Sequence, residues 1–177
     1  MIKNISLKIL NMIENLKKEN SEIVEYGGSP VAVLSGLKKE DFLCIFYLRC
    51  FCENLSNRKA MSDEFCHYLG NDKGMRIMFT LESIHEIIFK KGRKQLVLHN
   101  ISCDCVGADE NSFIHLISRS TLIDKSDAML IATIMTNSHI APQLIKLAED
   151  FAMGIKEILQ VVAYDIEHSI QNKNKYN

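Results

Sequence analysis

The stretch KKEDFLCIFYLRCFCENLS, residues 38–56, decides the fold. A helix drawn through it carries Phe42, Leu43, Ile45, Phe46, Leu48, Phe51 and Leu55 on more than one face. A helix that is apolar nearly all round belongs in the centre of a bundle. Cys44, Cys50 and Cys52 ride on the same segment.

Helical spacing recurs on both sides of this core. Ile5, Ile9, Met12, Ile13 and Leu16 predict an amphipathic helix over 5–19. Between them and the core lies the densest breaker region, 20–36, with Gly27, Gly28, Pro30 and Gly36. Its apolar part, Val31 to Leu34, reads as a short strand or an extended packing segment. Downstream, a helix over 58–69 is ended by Gly70, and Asn71 or Asp72 caps the next, over 72–91, ended by Gly92. Residues 93–98, RKQLVL, read as extended. Ala108 or Asp109 opens a helix to 119, and Asp124 or Ser126 caps another to 136. Pro142 suits the first turn of a last helix running to about 170, followed by a polar tail, 171–177.

The expected architecture is therefore one all-α domain over 1–177, with six or seven helices and a minor extended element. Its core spans 37–170. A chain of 177 residues buries most of its apolar surface without staples, so no metal is needed merely to hold a small core.

The totals narrow the function classes. With 21 basic and 22 acidic residues the net charge is −1, so no overall basic field drives nucleic-acid binding. No run of about 18 apolar residues predicts a membrane span. The N-terminal residues interleave apolar with polar side chains and lack a cleavage signal, so the expected location is the cytoplasm. There the 6 cysteines are expected reduced.

One segment is chemically distinctive: His99-Asn100-Ile101-Ser102-Cys103-Asp104-Cys105. Imidazole and thiolate are preferred zinc ligands, and a tetrahedral site takes four of them. Cys103 and Cys105 can reach one ion when the backbone wraps in a turn, which Gly107 helps to close. His99 is near enough to join. The fourth ligand is sought among Cys52, Cys66, His67, Cys50, His115 and Asp109. Cys50 and Cys52 point about 200° apart on a helix, so one alone can face a given site. Cys52 ranks first, because it shares a stripe with Leu48 and Leu55 near the helix end. The same cysteines also read as buried filler or as a disulfide pair.

Around these residues the chain resembles a group of small helical bacterial proteins of unassigned function. The likeness rests on Gly92-Arg93-Lys94, then His99-x3-Cys103-x-Cys105, then Gly107-Ala108-Asp109-Glu110. It covers about 20 residues, and Phe51-Cys52-Glu53 extends it. The resemblance implies that these residues form one feature and supports Cys52 as a partner. It implies no activity.

Other chemistry is thinly represented. The chain has no G-x-S-x-G, no phosphate-cradling glycine loop, no H-E-x-x-H and no deaminase signature. Lys90, Lys91, Arg93 and Lys94 cluster at a helix end, where they complement the dipole or meet a phosphate. The first expectation is a non-catalytic zinc-binding helical protein, a regulatory or interaction module with a protein partner or a second copy of itself. The alternative is a metal-responsive nucleic-acid-binding regulator using Lys73, Arg76 and that basic cluster. A small metalloenzyme, with Asp109 or Glu110 as base, comes third.

Overall fold

The apolar stretch forms helix α1, Lys39–Glu53, and every residue from Phe42 to Phe51 is buried. This is a computed structural model, and it describes residues 31–174. The helix expected over 5–19 and the tail beyond Asn174 lie outside the described residues. Among the described residues five further α-helices follow α1: α2 (Leu55–Leu69), α3 (Asn71–His85), α4 (Ala108–Arg119), α5 (Ser126–Met135) and α6 (Ala141–Asn174). Two short strands, β1 (Ala32–Val33) and β2 (Cys105–Val106), pair antiparallel, Ala32 opposite Val106 and Val33 opposite Cys105. The fold is thus an all-α bundle of six helices, among the described residues, with a minor extended segment.

The arrangement follows from which faces are apolar. Burying a large aliphatic or aromatic side chain contributes roughly 1.5–3 kcal/mol, so α1, with its unbroken buried run, is the thermodynamic centre. It packs on α2, α4 and α6. The long α6 touches all five other helices, and its inward stripe includes Leu144, Ala148, Phe151 and Ile155. Helices α2 and α3 form a close hairpin across Gly70, whose φ of +78° suits glycine. A Cβ added at Gly74 would lie 2.5 Å from the Cys66 backbone nitrogen, so glycine there lets the two helices touch.

Several local readings change. Helix α2 starts at Leu55 rather than 58, because the Asn54 side chain accepts from the Asn57 N–H at 2.8 Å. Asn71 and Asp72 lie inside α3, and the cap position is Gly70 with no side-chain bond. Beyond His85 the chain continues as one π-helical turn, Glu86–Lys90. Lys125 occupies the cap position of α5, while Asp124 accepts from the Ser126 N–H and hydroxyl. Residues 93–98 take no part in the sheet; the strand that pairs with β1 is Cys105–Val106.

Candidate functional site

The site lies in the connection between α3 and α4, and one buried ion pair organises it. Arg49 sits in the buried run of α1, and Glu110 is the third residue of α4. Arg49 Nε donates to Glu110 Oε1 at 2.7 Å, and Nη2 donates to Oε2 at 2.9 Å. The remaining guanidinium hydrogens reach the loop backbone. Nη1 donates to the carbonyls of Cys103 (2.6 Å) and Asn100 (3.2 Å), and Nη2 to that of Cys105 (2.6 Å). All five donors of the guanidinium are used.

Glu110 is equally occupied. Oε1 also accepts from the His99 N–H at 3.0 Å, and Oε2 from the Gly107 N–H at 2.9 Å. His99 Nδ1 lies 2.9 Å from Oε2. Burial lifts the pKa of Glu110, but the bonds from Arg49, Gly107 and His99 outweigh it and bring it to about 2. An ionised carboxylate only accepts, so His99 Nδ1 carries the hydrogen in this contact.

The loop is shaped by its own short-range bonds as well. Asn100 Oδ1 accepts from the Ser102 N–H and hydroxyl, and the Asn100 carbonyl accepts from the Cys103 N–H. Leu34 N–H donates to the Asp104 carbonyl at 2.7 Å, which ties the loop to the segment before α1. Gly107 makes room for the His99 ring: a Cβ there would lie 2.7 Å from His99 Cε1. Next to Glu110, Asp109 pairs with Lys94 and accepts from the Val97 N–H at 2.9 Å. Burial raises the pKa of Asp109, but these bonds outweigh it and hold it below the usual carboxylate range. Two consecutive acidic residues thus anchor two parts of one connection.

His99, Cys103 and Cys105 all fall in this connection, off the helices. The structure joins Cys103 and Cys105 as a disulfide, with Cα atoms 5.5 Å apart. Both are half-buried, while Ser102 and Asp104 beside them are exposed. Cys52 is half-buried in the last turn of α1, where burial pushes its thiol up to about 11 despite the Arg58 charge. Among the described residues no three His, Cys, Asp or Glu side chains are gathered so as to hold an ion. The other candidate fourth ligands are dispersed. Cys50 is buried in α1, Cys66 faces the Asn71 carbonyl, the His67 ring packs on Tyr68, and His115 lines a cleft beside Asp41. Of the cations considered for nucleic acid, Lys73 pairs with Glu157, Lys91 with Glu86 and Lys94 with Asp109.

Arg49 is the residue that sequence reasoning missed. Its signal was present: one guanidinium inside ten successive buried positions must have a partner. Glu110 was considered as a base, whereas it is the fully bonded partner of that arginine. Comparison with known proteins finds no matching family model, no matching curated protein and no matching solved structure.

Proposed function

We propose that the protein is a non-catalytic regulatory or interaction module whose working part is the Cys103-Asp104-Cys105 loop. That loop cycles between a dithiol and a disulfide. The observation that carries this reading is the pairing of the two cysteines, whose Cα separation of 5.5 Å is a common one for a disulfide. The scaffold supports it, because Arg49 holds the loop by the carbonyls of Cys103 and Cys105 and leaves their sulfurs free to change state. In a reducing cytoplasm such pairs are transient and sensing rather than structural.

The chemistry is thiol–disulfide exchange with a low-molecular-weight disulfide, RSSR. One loop thiolate attacks RSSR, forming a mixed disulfide and releasing RSH. The second thiolate attacks the loop sulfur of that mixed disulfide and releases the other RSH. Two protein thiols lose two electrons, and one RSSR becomes two RSH. The test is equilibration of the whole protein in glutathione buffers of graded ratio, followed by alkylation and mass spectrometry. Cys103 and Cys105 should become protected together, with the far-ultraviolet circular dichroism unchanged. If both stay open to alkylation at every ratio, the reading fails.

A second reading keeps zinc, and the His99–Glu110 contact favours it. A carboxylate that binds Nδ1–H leaves the lone pair on Nε2, the arrangement in which metal-ligating histidines are held. In the dithiol form His99, Cys103 and Cys105 would supply three ligands, and Cys52 is the proposed fourth. Elemental analysis of protein purified under reduction decides: absence of stoichiometric zinc removes this reading.

A further inference from the structure

We propose, resting on the thiol–disulfide reading of the loop, that the Cys103–Cys105 pair is a redox clasp on strand β1. Closed, it holds β1 on β2; open, it lets β1 leave. Asp104, the residue between the two cysteines, carries the tie. The Leu34 N–H donates to the Asp104 carbonyl at 2.7 Å, and the Val31 N–H donates to the Val106 carbonyl at 2.9 Å. Between these bonds Val33 stands opposite Cys105 and Ala32 opposite Val106. The backbone that receives β1 is thus the disulfide segment and the residue after it.

The disulfide acts on one carbonyl more than on its neighbours. Bonding the two sulfurs closes a small ring whose backbone part runs from the Cys103 Cα to the Cys105 Cα. The torsions that aim the Asp104 carbonyl, its own ψ and the φ of Cys105, both lie inside that ring. Breaking the sulfur–sulfur bond frees them. The carbonyls on either side stay aimed in both states, because Arg49 donates to that of Cys103 at 2.6 Å and to that of Cys105 at 2.6 Å. Glu110 likewise holds the His99 and Gly107 N–H groups whatever the sulfurs do. The redox change is therefore focused on the Asp104 carbonyl and on the strand bonded to it.

Little else holds β1. Of residues 31–36 Leu34 alone is buried, at 3 % exposure, while Val31 is 54 % and Val33 38 % exposed. Segments with few buried apolar contacts open locally well before the whole fold does. Losing one hydrogen bond of ordinary strength speeds such opening about three- to tenfold. Opening draws Leu34 out of the core cluster, so the surface that the module offers differs between its dithiol and disulfide forms.

Residue-resolved hydrogen exchange of the full chain, followed by NMR, tests the clasp. The disulfide form is made with diamide, an azo oxidant that takes two electrons and two protons from the dithiol and becomes the hydrazine. The dithiol form is made with a water-soluble phosphine, which becomes the phosphine oxide with oxygen from water as the two thiols form. Peptide mapping verifies both states. The Leu34 and Val31 amides should exchange about three- to tenfold faster in the dithiol form, with the His99 and Gly107 amides unchanged. Cys103→Ser/Cys105→Ser should show the fast rates with or without diamide. Equal Leu34 rates in the two forms, or an acceleration spread evenly over 99–110, overturns the clasp, and so does failure of diamide to close the pair. A pair that closes with diamide but in no glutathione buffer removes the thiol–disulfide reading alone, and the Leu34 comparison still decides the clasp.

Discussion

Arg49 and Glu110, 61 residues apart in sequence, meet in a buried two-pronged ion pair whose remaining hydrogen bonds shape the whole 99–107 loop. A buried charge pair repays its desolvation only when its geometry is good and its other donors and acceptors are satisfied. Both conditions hold here. The pair therefore works less as a source of net stability than as a device fixing one loop conformation.

Removing one partner should be costly. Arg49→Met or Glu110→Met alone should destabilise by about 3–5 kcal/mol, since each leaves an uncompensated buried charge. The double variant should lose clearly less than the sum of the two. Urea unfolding of all four proteins measures the coupling. Simple additivity would show that the two residues act independently.

The pair also predicts acid sensitivity. The pKa of Glu110 is lowered from 4.5 to about 2 on folding, so its contribution is full above the unfolded value. It is lost as pH falls from about 5 towards 2, in total about 3 kcal/mol. The urea midpoint should drop across that window. A Glu110→Gln protein, though less stable at pH 7, should lack this component of the drop; an undiminished drop would assign it to other carboxylates.

Gly107 is set by the His99 ring. Gly107→Ala should cost about 1–3 kcal/mol, because the ring is held by Glu110 and has little room to withdraw. In a His99→Ala background the same change should cost much less. Thermal melts of the single and double variants provide the check, and equal costs in both backgrounds would point to the backbone instead.

For the metal reading, the informative cysteine is Cys52. Cys103→Ser or Cys105→Ser should abolish zinc retention by the reduced protein and lower its melting temperature. Cys52→Ser should weaken zinc binding if that thiol is the fourth ligand, and leave it unchanged if water or another group completes the site. A chelator-competition titration separates these outcomes.

Much of the fold was legible because helices are written locally. The apolar run 42–51, the breakers Gly70 and Gly92 and the break before Pro142 place the helices from three- and four-residue spacing alone. Errors gathered at the ends. Which of Asn54, Gly70 or Lys125 occupies a cap depends on one backbone torsion or one side-chain bond. The candidate site was half legible: His99, Cys103 and Cys105 could be assigned to a connection, because no helical pattern runs through them.

By itself, the sequence determined that the protein is an all-α bundle centred on residues 42–51, with His99, Cys103 and Cys105 in one connection between helices. Tertiary structure alone decided how that loop is held. Periodicity records which face of a helix avoids water, but not which distant polar group a buried charge will meet. A guanidinium sealed in the core takes whatever acceptors the packing of other elements brings within about 3 Å. Here the packing of α4 against α1 supplied Glu110 and the carbonyls of Asn100, Cys103 and Cys105.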